Sequence, residues 1–344
     1  MAEAAARDSA DERAARSLAI LGRLVPIGVA LALVVVVLGA YTRLSDAGLG
    51  CPDWPGCYGF LAVPDEAQEI DAAAQRFPHA PIEAHKAWAE MVHRYFAGSL
   101  GVLVAAIAWF SFGARRVGAP LRTASALLVL IVVQAAFGAW TVTLKLWPQV
   151  VTAHLLGGFS TLALLWLLRV QLARPSRIAR PLRRHAAFAL GVLIVQITLG
   201  GWTTSNYAAL ACPDFPTCQT EWWPQMDFGT GFDVTREVGP NYLGGVMHSQ
   251  ARAAIHMAHR IGALTAFIVI GLLAWRLAHG GTADERRLAA TLSGLLLLQV
   301  ALGITNVVGS LPLAVATAHN AVGAVLLLVV VSVNYRAFAG GTIR

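Results

Sequence analysis

The chain has 344 residues, 57% of them hydrophobic and only 13% charged, with a mean hydropathy of +0.61. A soluble protein of this size carries about a quarter charged residues, so an ordinary soluble domain is excluded. The net charge of +7 sits in short basic segments between apolar blocks, which reports membrane orientation under the positive-inside rule and speaks against a nucleic-acid partner.

Met1 to Arg23 is polar and mixed in charge. It lacks the short apolar core and small-residue cleavage site of a cleaved signal peptide, so the first apolar block is expected to remain as a span. Blocks of roughly 20 apolar residues cross a bilayer, and eight are legible, near 22–42, 90–112, 121–143, 150–171, 184–204, 252–277, 286–308 and 314–338. The connections 43–89 and 205–251 are long and carry most of the acidic residues, among them Asp53, Asp65, Glu66, Glu69, Asp214, Asp227 and Asp233. The alternate connections are short and basic: Arg115, Arg116 and Arg122, then Arg174, Arg177, Arg180, Arg183 and Arg184, then Arg286 and Arg287. These patterns place both ends inside and the two long loops outside.

An internal repeat sets the expected architecture. Residues 39–57 read GAYTRLSDAGLGCPDWPGC and residues 200–218 read GGWTTSNYAALACPDFPTC, so Cys212 follows Cys51 by 161 residues. HRYFAGSLG at His93 is matched by HRIGALTAF at His259, QAAFGAWTV at Gln134 by QVALGITNV at Gln299, and TAHLLGG around His154 by TAHNAVGA around His319. Each repeat holds an even number of spans, so the halves share one orientation. The expectation is an all-α integral membrane protein, two tandem parallel four-helix bundles. A cytoplasmic tail (1–21) precedes an N-terminal half (22–171); a basic cytoplasmic linker (172–183) leads to a C-terminal half (184–338) and a short tail (339–344).

His93 and His154 fall near the outer starts of the second and fourth spans, about one turn in, and His259 and His319 repeat this in the sixth and eighth. One histidine on each of two helices at matched depth suits two-fold imidazole ligation of a haem iron. A lone intramembrane histidine more often hydrogen-bonds a neighbouring helix, but two matched pairs favour ligation. Zinc wants about four ligands with cysteine or carboxylate nearby. Arg94 and Arg260 follow directly and suit haem propionates, or simply snorkel to the interface. Glu90 lies three residues before His93, on the same helical face, where a carboxylate can act as general acid or base. Its counterpart in the second half is His256, which sits one turn before His259 and competes with it as a ligand. His79, His85, His185, His248 and His279 have no matched partner and read as loop or interfacial residues.

The four cysteines form two Cys-x5-Cys motifs in loops expected outside, where disulfides persist. Local pairs, Cys51–Cys57 and Cys212–Cys218, are the simplest of three connectivities. Such pairs serve as structural staples or exchange with a thiol carrier; a zinc site from all four is a weaker alternative.

The run RLSDAGLGCPDWPGC, EMVHR in the next span, the QxxxGxxT-like third spans and TAH in the fourth resemble the haem A synthase family, over roughly residues 22–338. The motifs are those of the bacterial branch with a cysteine pair in each half, which implies the bacterial inner membrane. The resemblance implies oxidation of the C8 methyl of haem O to the formyl of haem A by successive hydroxylation, for terminal oxidases. It implies that His93 and His154 hold the substrate haem, that His259 and His319 hold a resident haem b, and that Glu90 is the catalytic carboxylate. The Cys51–Cys57 pair matches cysteines thought to aid haem or electron transfer. Haem O synthase, a terminal oxidase, an electron donor and membrane lipid are the partners this pathway implies. Two other readings use the same residues: a di-haem b-type electron carrier, which needs no Glu90, and a haem transporter, for which broken midplane helices would be expected.

Overall fold

The computed structural model describes residues 2–178, 182–236, 241–279 and 282–338, with side chains from Ala10 onward. The expected tail 339–344 and residues 179–181 of the basic linker lie outside the described residues. In chain order the helices are α1 (Ala2–Leu44), α2 (Ala67–Arg76), α3 (Ala84–Gly113), α4 (Leu121–Thr143), α5 (Pro148–Ala173), α6 (Arg183–Ser205), α7 (Phe228–Gly231), α8 (Ser249–Ala278), α9 (Ala283–Val308) and α10 (Leu313–Phe338). All but α2 and α7 are long and apolar enough to span a membrane, and the chain is a multi-pass membrane protein.

Helices are the natural answer to this composition, because hydrocarbon offers no partner for backbone amides and carbonyls. Large side chains such as Val102, Trp109, Val129 and Phe188 are well exposed; in water they would drive aggregation, whereas on a span they face lipid. The ends carry local signals. Pro148 opens α5, a place where its missing N–H costs nothing. Thr282 and Glu285 form a reciprocal capping box on α9, and the His248 side chain caps α8 by accepting from Ala251 N–H.

Several boundaries differ from the sequence expectation. α1 runs back to Ala2 through the segment read as a polar tail; its Ala, Glu and Arg residues are strong helix formers, so the span propagates beyond its apolar stretch. α3 starts at Ala84 and α8 at Ser249, several residues before the apolar blocks. Hydropathy marks lipid and not the hydrogen-bond ladder, so polar first turns escape it.

The long helices pack in two rings. α1, α3, α4 and α5 each touch the next and α5 closes back on α1; α6, α8, α9 and α10 do the same. The rings meet through α1–α10, α5–α6 and α5–α10. One continuous apolar core, including Leu21, Val25, Val104, Leu165, Leu193, Ile270, Leu292 and Val330, crosses both rings. It occupies the half of each span near the basic linker. The other half, toward the long loops, carries the four histidines.

Candidate functional site

His93 lies nine residues into α3, His259 ten into α8, and His154 and His319 six into α5 and α10. At 1.5 Å per residue that is about 9–15 Å from each helix start. His93 and His154 lie within reach of each other inside one ring of helices, as do His259 and His319 inside the other. The structure therefore brings each sequence pair together within its own ring of helices.

Each imidazole rests on a glycine of the neighbouring helix. A Cβ built at Gly39 would lie 3.0 Å from Cε1 of His93; at Gly138, 3.5 Å from Cε1 of His154; at Gly200, 3.2 Å from Cε1 of His259; at Gly303, 3.1 Å from Cε1 of His319. At Gly39, Gly200 and Gly303 a side chain would crowd the ring, whereas the contact at Gly138 is of ordinary van der Waals length. Among the described residues Nδ1 of His93, His154 and His319 is buried without a hydrogen-bond partner, and leaving a buried polar atom unpaired is costly. No three His, Cys, Asp or Glu side chains come together as a metal cluster among the described residues. Matched imidazole pairs with nitrogen valence to spare fit a planar metal group ligated from both faces, which is what haem demands.

Glu90 is 5% exposed and belongs as much to the first cysteine loop as to α3. Its Oε2 accepts from Cys51 N–H at 3.0 Å, and its Oε1 pairs with Arg94 Nη2 at 2.5 Å. Arg94 also donates from Nη1 to the carbonyls of Asp53 (3.0 Å), Pro55 (3.3 Å) and Gly56. Arg260 does the same in the second half, reaching Thr217 O (2.7 Å), Asp214 O (2.8 Å) and Cys212 O (3.1 Å). Both arginines, read from the sequence as propionate partners or snorkelling residues, spend most of their donors clamping a cysteine loop beside a histidine. His256, at the place of Glu90, turns its Nδ1 to Ala208 O at 3.0 Å. His259, not His256, has the glycine contact shared by the other three histidines.

Cys51 and Cys57 are disulfide-bonded, as are Cys212 and Cys218, and all four are fully buried. The aspartate in each CPD motif closes its loop. Asp53 accepts from the amides of Tyr58 (2.6 Å) and Gly59 (2.8 Å); Asp214 accepts from Gln219 (2.6 Å), Thr220 (3.0 Å) and the Thr217 hydroxyl. The Thr217 hydroxyl first, then these amides, hold the Asp214 carboxyl below the usual aspartate range. Gly50 packs so tightly on the start of α3 that a Cβ there would fall 2.5 Å from the Lys86 carbonyl carbon. Each loop is thus a rigid cap fixed to the helix that carries a histidine.

The structure adds residues that the sequence did not single out. The four glycines stand inside the quoted repeat segments, so their recurrence was the available signal, although no one position declared its contact. His185 is no idle interfacial residue: its Nε2 lies 3.0 Å from Val269 O and its Nδ1 3.1 Å from Arg276 Nη1, joining α6 to α8. A cavity of about 440 Å³ lined by Gln225, Met226, Asp227, His248 and Gln250 opens in the second long loop, away from the histidine pairs.

Residues 22–331 match the COX15-CtaA family of cytochrome oxidase assembly proteins. The chain is 48% identical over 309 residues to the haem A synthase of Shewanella oneidensis, covering 88% of this chain and 92% of that protein. It is 29% identical over 335 residues to the haem A synthase of Caulobacter vibrioides, covering 89% and 93%. To the Arabidopsis thaliana protein named haem A synthase COX15 it is 27% identical over 342 residues, covering 88% and 71%. With eight spans, a disulfide loop in each half and matching length, this chain belongs to the COX15-CtaA family.

Proposed function

We propose that the protein is a haem A synthase, a membrane oxidoreductase that converts the C8 methyl of haem O to the formyl of haem A by successive hydroxylation and loss of water. The observation that supports it best is the pair of glycine-seated imidazoles in each ring of helices, with a carboxylate beside one pair only, in a chain of this family. In this reading His93 and His154 hold haem O as substrate, and His259 and His319 hold a resident haem b. When bound, haem b supplies a redox-active iron that passes electrons.

The chain's own residues do the rest. The histidines orient each macrocycle across its ring of helices. The tight core on the linker side seals that end against water. Glu90 stands one turn from His93, fixed by Cys51 N–H and Arg94, so its carboxylate is preorganised. Shifted off Arg94, Oε1 takes a proton from the substrate hydroxyl and returns it as water leaves. The arginine-rich segments support cytoplasmic termini and disulfide loops outside the bacterial inner membrane. Haem O synthase upstream, a terminal oxidase downstream and a separate electron donor complete the pathway.

Glu90→Ala tests the assignment. In a host that makes haem O but no haem A, the variant should bind haem in wild-type amount. Extracted haems should show haem A reduced by about 10²- to 10⁴-fold, the usual worth of a proton-transfer group, with haem O or a hydroxylated precursor accumulating. Haem A at the wild-type rate would remove Glu90 from the chemistry. Two unaltered haems in the wild type, with donor and oxygen supplied, would leave an electron carrier.

A further inference from the structure

The two rings differ at one level of α1 and α6. Gln196 of α6 lies one turn before Gly200, on the same face, and its Nε2 is 3.1 Å from His259 Nδ1 and 3.2 Å from His259 O. Its Oε1 has no partner among the described residues. The repeat puts Val35 at the equivalent place on α1, one turn before Gly39. There the Val35 backbone carbonyl, which already serves the helical ladder, is within weak hydrogen-bonding reach of the His93 ring, and no side chain partners His93 Nδ1. A second difference accompanies the first. A Cβ at Gly262 would fall 2.3 Å from Gln196 Oε1, so glycine makes the room the amide occupies; in the N-terminal half Phe96 stands at that position. The third spans do not share the contrast at Nδ1. There, however, Gln299 Nε2 is 3.2 Å from His319 Nε2 and its counterpart Gln134 presses its amide on Gly157, while Nδ1 of both His319 and His154 has no partner.

We infer that Gln196, with Gly262 making space for it, is a positioning residue that makes the C-terminal haem resident, and that Val35 with Phe96 leaves the N-terminal haem exchangeable. The inference rests on the functional reading of the two histidine pairs. An imidazole bound to iron through Nε2 carries its proton on Nδ1, and an acceptor there fixes the tautomer, orients the ring and strengthens the ligand. Half a turn of the Gln196 amide presents Oε1 to that proton and gives up the bond from Nε2 to His259 O. A synthase needs this asymmetry, because one haem must stay while the other enters as substrate and leaves as product.

The test uses the full-length protein, purified in detergent and loaded with haem b, with transfer of haem into excess apomyoglobin followed by absorbance. Wild type should lose haem in a slow and a fast phase. Gln196→Met, close in volume but lacking the amide, should speed the slow phase by about tenfold or more and raise that haem's midpoint potential. Gln196→Glu, which keeps an acceptor, should retain the slow phase and lower the potential, a signature that mere packing would not produce. The reciprocal pair Val35→Gln with Phe96→Gly should slow the fast phase. Gln196→Met with wild-type transfer rate and potential overturns the inference, as does a reciprocal pair that leaves the fast phase unchanged. If Gln196→Met fails to fold, the reciprocal pair decides alone. Wild type that binds no haem overturns the functional reading as well, whereas wild type that makes haem A beside an unaltered Gln196→Met overturns this inference only.

Discussion

Glycine does its work here by what it leaves out. Gly200 and Gly191 stand on the same helix, yet a Cβ at Gly191 meets nothing within 4 Å, while one at Gly200 meets His259 at 3.2 Å. Gly191→Ala should therefore be neutral or stabilise by about 0.5–1 kcal/mol, through helix propensity alone. Gly200→Val should cost about 1–3 kcal/mol from overpacking and turn the His259 ring off its seat. Thermal inactivation half-lives and haem-to-protein ratios, measured on both, check this pairing; equal behaviour of the two variants would show that the glycine contact does not set the ring. Glu90 makes a related point. Its one buried carboxylate has two anchors, an amide of the disulfide loop and Arg94, so its placement depends on residues far away in sequence.

The cysteine loop is the element that does most of this placing. Disulfide, CPD aspartate and arginine clamp are repeated in both halves, down to isolated bridges between Cys57 and Phe60 and between Cys218 and Glu221. The second loop offers a pH test. The folded Asp214 carboxyl ionises below its usual range, chiefly through Thr217, so its stabilisation is present above the unfolded aspartate value and is lost as pH falls through the folded one. Hydrogen-exchange protection at the Gln219 and Thr220 amides should stay level above the ordinary aspartate range and decline in acid below it. Asp214→Asn should show low protection at every pH; unchanged protection in that variant would mean the carboxylate does not hold the loop.

At the scale of the molecule, Arg43 ties the two rings together at the loop face, and Arg336 ties the second ring to the linker at the other. Arg43, at the loop end of α1, donates to Thr204 O at 2.6 Å and lies 4.0 Å from the centre of the Tyr207 ring. Arg336, buried at the linker end of α10, donates to Ser176 O and pairs with Asp284, both at 2.8 Å. Hydrogen bonds from a charged donor are worth about 1.5–3 kcal/mol. Arg43→Ala and Arg336→Ala should each shorten the thermal half-life in detergent. Because a 26-residue α10 spans about 39 Å, the two losses should add within about 0.5 kcal/mol. Strong non-additivity would mean that the two ties guard one common unfolding step.

The sequence by itself determined the eight spans, the two-fold repeat and the paired histidines, because lipid solvation and helical geometry act on local composition and spacing. Its motifs also carried the family resemblance. Beyond the two disulfides, it did not reach the partner of a side chain. That Glu90 and Arg94 hold the Cys51–Cys57 loop, that four glycines seat four imidazoles, and that Gln196 touches His259 where Val35 faces His93 with backbone alone, were decided by tertiary structure. Each is a contact between helices or loops 16 to 63 residues apart, and such contacts depend on which helix faces turn toward each other. In spans apolar on nearly every face, hydrophobic periodicity does not mark those faces; only packing does.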